Sequence, residues 1–134
     1  MPLIGYGTDR LPAFLSPDVG LGVPHRVDDP AAAAGVVSMH LALPGAGGLL
    51  IVQPPPADVA IPAEEVDGWI ADAVAAAERD HVTGGRVTPY VLSHVARASG
   101  GRTLRANVAL IVNNARTAAR IAVALAERHH RYTG

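Results

Sequence analysis

The chain has 134 residues, a formal net charge of -1 and no cysteine, and 49% of its residues are hydrophobic while 17% are charged. This length suits at most one domain, and the composition is typical of a globular chain rather than a disordered one. The absence of cysteine excludes disulfides, a thiolate nucleophile and a zinc ribbon. The balanced charge argues against a nucleic-acid surface, which requires clustered cations.

The sequence predicts neither an export signal nor a membrane-spanning segment. The first ten residues lack a basic stretch followed by a long apolar core, and Gly, Pro or a charged residue interrupts every apolar run. We therefore expect a cytoplasmic location and no membrane partner.

Short apolar runs in the Pro- and Gly-rich first half predict strands. Residues 3–6 are closed by Gly7, and residues 49–52 lie between a glycine pair and three prolines. Residues 25–27 predict a short edge strand. Between these runs, Asp29 and Pro30 open a predicted helix that ends before Pro44. A strand, a helix and a further strand in this order predict a parallel crossover unit.

The second half predicts three helices. The first runs from about Pro62 to His81 and carries one core-facing apolar stripe at helical spacing. That stripe consists of Val66, Trp69, Ile70, Ala73, Val74 and Ala77. The second helix opens at Thr88-Pro89, with Thr88 as its N-cap, and stops at Gly100-Gly101.

The last predicted helix opens at Thr103 and carries apolar residues at alternating spacings of four and three, which predicts a buried seam. The seam consists of Leu104, Val108, Ile111, Ala115, Ala118, Ala122 and Leu125. Together the elements predict an α/β fold with a helix-flanked sheet of only two or three strands and about four helices, fewer strands than a covered parallel sheet usually has. We interpret residues 1–134 as a single partial domain belonging to a larger α/β/α domain, or as a subunit that completes its sheet with a partner.

Two asparagines on the last helix form the candidate binding site. Asn107 and Asn114 are seven positions apart, so they project within about 20° of one another at the border of the apolar stripe. An amide in such a place either braces a neighbouring loop or faces a polar ligand, and it has the paired donor and acceptor groups that match a pyrimidine edge. No two of the six histidines have the i, i+4 spacing of a helical metal site, so we predict no metal ligands in this chain.

Several segments occur in an order that is distinctive as a set. They are Ile4-Gly5-Tyr6 with Thr8 and Leu11-Pro12-Ala13-Phe14, Arg26-Val27-Asp28, Gly47 to Ile51 with Pro54 and Pro56, Ala60-Ile61-Pro62, Thr88-Pro89-Tyr90, and Gly100-Gly101 followed by Leu104, Asn107, Leu110 and Asn113-Asn114-Ala115. This order resembles the C-terminal part of the pseudouridine-5'-phosphate glycosidase family, also called indigoidine synthase A-like. Similar sequences have asparagine where this chain has Gln53, and phenylalanine where it has Tyr90.

The resemblance implies reversible cleavage of the C–C glycosidic bond of pseudouridine 5'-phosphate to uracil and ribose 5-phosphate. In the family, a lysine imine on ring-opened ribose 5-phosphate is the electron sink and a glutamate is the general acid. That lysine, the glutamate, the aspartate that binds manganese and most phosphate contacts belong to a preceding half, so no catalytic residue and no manganese ligand is expected here. The family asparagine that lies beside the pyrimidine aligns with Asn107, and Asn114 is a secondary candidate.

The resemblance also implies a homotrimer for the full-length protein. This chain has no lysine, so alone it is expected to be catalytically inactive. The alternative is a non-enzymatic α/β subunit or regulatory module that completes its sheet with a partner chain.

Overall fold

A computed structural model describes the backbone of residues 1–133 and the side chains of residues 1–130. Its elements in chain order are β1 (Leu3–Tyr6), β2 (His25–Val27), α1 (Pro30–Leu41), β3 (Leu50–Val52), α2 (Ala63–Arg79), α3 (Val87–Ala98) and α4 (Arg102–Thr133). The predicted α/β class, with three strands and four α-helices, is confirmed.

The three strands form one parallel sheet in the order β2-β1-β3. Ile4 lies at the centre, with His25 as its register partner on one side and Ile51 on the other. The chain passes from β2 to β3 through α1, so the predicted parallel crossover is present. Within residues 1–133, no further strand pairs with the outer edges of β2 and β3, which confirms an incomplete sheet.

The start of α1 agrees with its sequence signals. The Asp29 carboxylate caps the helix by accepting a hydrogen bond of 2.8 Å from the backbone N–H of Ala32, and Pro30 occupies the first turn. α1 packs against α4, and α2 packs against α3. α3 also contacts α4, and the Gln53 side chain, directly after β3, is hydrogen-bonded to α4.

The predicted N-cap of α3 is wrong. Thr88 lies inside the helix, which begins at Val87 directly after a 3-10 turn at Gly84–Arg86. Because the backbone enters α3 from a turn that is already helical, the N-cap position falls on Arg86, which makes no side-chain capping hydrogen bond.

The predicted apolar faces of α2 and α4 are only partly buried. In α2, the alanines at 73, 76 and 77 are buried, whereas Ile70 and Val74 are each 41% exposed. In α4, the predicted seam is wrong as a buried feature of this chain: Leu104, Val108 and Ile111 are all more than half exposed. The face of α4 that is buried instead carries Thr103, Ala106, Thr117 and Ile121. These small and branched residues allow close packing. Part of the apolar seam instead borders open cavities: Leu104 lines one of them, and Ala118, Ala122 and Leu125 line another.

α4 is also long and apolar enough, by length and composition alone, to cross a membrane between Arg102 and His130. By length and composition, the charged residues that interrupt the apolar runs of α4 do not exclude a membrane-spanning helix. The criterion carries little weight by itself, because the core helix of a soluble protein satisfies it too.

Candidate functional site

The first component of the site is the loop that connects β1 to β2, here called the 10–22 loop after the antiparallel bridge between Arg10 and Gly22 that closes it. At its entrance, the Thr8 hydroxyl donates to the carbonyl of Arg10 at 2.9 Å and accepts from the N–H of Arg10 at 3.0 Å. Asp18 accepts from Arg10 Nε at 2.9 Å and from the backbone N–H of Gly20 at 2.7 Å. The hydrogen bond from Arg10 holds the pKa of the Asp18 carboxyl below its ordinary value. The Arg10–Asp18 ion pair thus links the two ends of the loop.

The tip of this loop is anchored in the core. Leu15 and Ser16 are buried, and the Ser16 hydroxyl donates to the carbonyl of Ile61 at 2.7 Å. In return, the N–H of Ile61 donates to the carbonyl of Leu15 at 3.0 Å. Leu15, Ile61 and Ala106 form one apolar cluster. The loop tip therefore packs onto α4 at the residue immediately before Asn107.

The first of two cavities on this side of α4 has a volume of about 770 Å³ and is called here the Asn107 cavity. Asn107 and Thr103 line it from α4, Ala13 and Phe14 line it from the 10–22 loop, and residues of α2 and α3 complete it. Its size is within the usual range for a small-molecule site, and its walls are mainly apolar. Asn107 is partly buried, as the sequence predicted for an amide at the border of the stripe.

The second cavity, of about 630 Å³, is called here the Asn114 cavity and lies at the carboxyl end of β3. The Gln53 side chain joins β3 to α4 there: its Nε2 donates to Asn114 Oδ1 at 2.7 Å, and its Oε1 accepts from the Thr117 hydroxyl at 2.9 Å. Gln53 thus binds the side-chain carbonyl of Asn114. This contact corresponds to the first of the two alternatives given for such an amide, in which it braces a neighbouring segment rather than faces a ligand. The Gln53 side chain is long enough to reach both partners.

The two predicted asparagines therefore lie on one side of α4 but line different cavities. Ala13 and Phe14 line both cavities, so the tip of the 10–22 loop is the wall that they share. The sequence reasoning did not identify Phe14 or Ser16 as part of the site. The available signal was the one phenylalanine of the chain, which lies in a loop that contains two prolines and two glycines.

Acidic side chains near the site do not form a metal centre. Among the side chains that the structure describes, no three of the His, Cys, Asp or Glu type lie close enough together to hold a metal ion. Glu65, in the first turn of α2, accepts a hydrogen bond of 2.6 Å from Arg102 at the start of α4. The guanidinium carbon of Arg102 also lies 5.5 Å from the centre of the Trp69 ring. Arg102 therefore links α4 to α2 through both Glu65 and Trp69.

Fold and site together define an α/β protein in which a long helix presents amide side chains beside a partial parallel sheet. Comparison with known proteins makes this more specific. A family model described as indigoidine synthase A like protein matches residues 1–124. The chain belongs to the indigoidine synthase A-like family.

Curated relatives carry the name pseudouridine-5'-phosphate glycosidase. The protein from Myxococcus xanthus is 44% identical over 126 residues, which cover 94% of this chain and 42% of the relative. The protein from Thermus thermophilus is 47% identical over 124 residues, which cover 92% of this chain and 43% of the relative. This chain thus spans about two-fifths of the length of the relatives that it matches.

Solved structures show the same fold. The prealnumycin C-glycosynthase AlnA, solved in complex with ribulose 5-phosphate, is 32% identical, with a TM-score of 0.88 over 98% of this chain and 43% of that chain. An indigoidine synthase A-like protein from Thermotoga maritima is 28% identical, with a TM-score of 0.80 over 93% of this chain. The backbone of this chain therefore matches part of two larger members of the fold.

Proposed function

We propose that this chain is the C-terminal part of a pseudouridine-5'-phosphate glycosidase and contributes the pyrimidine-binding side of its active site. The observation that carries the proposal is the partly buried Asn107 amide in a largely apolar cavity of about 770 Å³. The names of the relatives support the substrate, because they are 42–47% identical over more than nine-tenths of this chain.

The reaction divides the chemical tasks between two parts of the domain. Cleavage breaks the bond between C1' of the ring-opened ribose and C5 of uracil: the electron pair of that bond goes to uracil, whose C5 gains a proton, and the nitrogen of a lysine bound at C1' forms the imine that remains on the ribose carbon. This chain has no lysine, so the imine lysine belongs to the rest of the domain, as do the general acid and the manganese ligands. The residues described here would hold the uracil through Asn107 while the bond breaks. We further propose that the complete protein is a cytoplasmic homotrimer.

Activity should appear only when the rest of the domain is supplied. We expect the purified chain to form no pseudouridine 5'-phosphate from uracil and ribose 5-phosphate in the presence of manganese. We expect product after co-expression with the part of the Myxococcus xanthus relative that this chain does not match. Liquid chromatography of the product tests both statements. Turnover by the chain alone would contradict the assignment of the lysine, and absence of turnover by the assembled pair would contradict the proposed enzyme.

The Asn107→Ala substitution is expected to lower kcat/KM for uracil in the assembled enzyme by about tenfold or more. The reason is that one amide hydrogen-bond pair in a desolvated site contributes about 1–3 kcal/mol. Formation of the ribose 5-phosphate imine, measured by borohydride trapping and mass spectrometry, should be unchanged. Asn113→Ala is the matched control, because Asn113 is on the same helix but does not line the Asn107 cavity. Equal loss of uracil use and imine trapping would contradict the role given to Asn107.

A second candidate function is favoured by one observation, the exposed apolar seam of α4. A non-enzymatic subunit that completes its sheet and covers this seam with a partner chain would present the same surface. The co-expression experiment separates the two candidates, because a subunit of this kind would assemble with a partner without forming product.

A further inference from the structure

Phe14 is the feature that the proposed function leaves unused. It is the one phenylalanine of the chain, and it is 56% exposed, although the next two residues are buried. Its position is fixed from both sides, by the hydrogen bonds of Leu15 and Ser16 to Ile61 and by the Arg10–Asp18 pair that closes the loop. An aromatic side chain is thus held out of the core by an anchored loop.

The same anchoring places Phe14 in the wall of the cavity that contains the candidate amide. Leu15 and Ala106 belong to one apolar cluster, which holds the tip of the 10–22 loop on α4. Phe14 and Asn107 both line the Asn107 cavity, and Phe14 is the one aromatic residue among the described side chains that line it. The remaining apolar lining is aliphatic.

A pyrimidine presents two different surfaces to a protein. Its edge has alternating donors and acceptors that an amide matches, and its two faces are flat π surfaces that stack on aromatic rings. Asn107 supplies a group for the edge and Phe14 a group for a face. The remaining polar groups of the cavity are the carboxylates of Asp18 and Asp67 and the hydroxyls of Ser16 and Thr103. With no cationic side chain in the described lining, the cavity suits the neutral base rather than the phosphate.

We propose that Phe14 stacks on the face of the pyrimidine whose edge Asn107 binds, and that it is a specificity-determining residue for the base. This inference rests on the proposed function, because it takes the Asn107 cavity as the pyrimidine site. It adds that the site selects flat unsaturated rings over saturated ones. Dihydrouracil, which keeps both carbonyl groups but loses ring planarity, should therefore bind more weakly than uracil.

The test is titration of uracil with the full 134-residue chain, followed by proton NMR of the uracil H5 and H6 signals. Stacking on a phenyl ring moves both signals upfield through the ring current, a signature that a purely structural role for Phe14 would not produce. We expect the upfield shift with the unaltered chain and with Phe14→Tyr. We expect its loss with Phe14→Leu, together with about tenfold weaker binding, since stacking of one base on an aromatic side chain contributes about 1–3 kcal/mol.

Two controls separate this inference from the proposed function. Leu43→Ala alters an exposed aliphatic residue that lines neither cavity and should leave the shift unchanged. Asn107→Ala should weaken binding and abolish the preference for uracil over cytosine, whereas Phe14→Leu should keep that preference. An unchanged upfield shift in Phe14→Leu overturns the stacking role alone. Absence of uracil binding by the unaltered chain at millimolar concentration overturns both the stacking role and the pyrimidine site.

Discussion

Replacing Gly5 with alanine is expected to lower the free energy of unfolding by about 3 kcal/mol or more, at the upper end of the cost of overpacking a core. Gly5 lies in the middle of β1, and a Cβ atom added there would collide with the carbonyl oxygen of Thr8. That oxygen belongs to a backbone turn whose Thr8 side chain is buried and hydrogen-bonded to Arg10, so it cannot move without opening the 10–22 loop. The change therefore damages the central strand and the loop that carries Phe14.

The measurement is urea denaturation followed by far-UV circular dichroism. Gly47→Ala is the matched control, because Gly47 precedes β3 and has no heavy atom within 4 Å of an added Cβ. We expect Gly47→Ala to change stability by less than about 0.5 kcal/mol. Similar losses for the two substitutions would show that the close approach of Gly5 to Thr8 is not responsible.

Most of the secondary structure could be predicted because its limits are set by local chemistry. Pro30 and Asp29 fix the start of α1 through a capping hydrogen bond, and the glycine pair at 100–101 ends α3 by adopting positive φ values. β1 was predicted to the residue. The N-cap of α3 was not, because the 3-10 turn at Gly84–Arg86 replaces the side-chain cap that Thr88 would have supplied.

Burial could not be predicted in the same way, because periodicity identifies an apolar stripe but not what covers it. Val108 and Ile111 have the spacing of a buried seam, yet the described chain leaves both exposed. The chain spans about two-fifths of its relatives, and a stripe of this kind is buried only when further chain packs on it. The amphipathic pattern of α4 could be read from the sequence, but the surface that packs against its apolar stripe depends on tertiary structure.

The candidate site was predictable only in part, for a related reason. Helical geometry correctly placed Asn107 and Asn114 on one side of α4, because their seven-residue spacing is a local property. It could not show that the tip of the 10–22 loop stands between two cavities, or that Gln53 reaches Asn114 across 61 positions of sequence. Contacts of that range depend on how the loop and β3 pack against α4, which no local pattern encodes.

Truncation of Ile61 is expected to have the second largest effect on the fold, with Ile61→Ala lowering the free energy of unfolding by about 2–5 kcal/mol. Ile61 is 2% exposed and is one of the largest fully buried side chains. Its side chain packs with Leu15 and Ala106, and its backbone exchanges hydrogen bonds with Leu15 and Ser16. A cavity at this point removes the packing that holds the tip of the 10–22 loop on α4.

The loop should therefore loosen before the rest of the molecule unfolds. We expect faster trypsin cleavage after Arg10 in Ile61→Ala under native conditions, together with the lower stability in urea. Ile111→Ala is the control, because it removes the same atoms from a side chain that is 58% exposed, and it should change stability by less than about 0.5 kcal/mol. If the two variants lose equal stability, or if cleavage after Arg10 keeps its rate in Ile61→Ala, then the Leu15–Ile61–Ala106 cluster does not hold the tip of the 10–22 loop on α4.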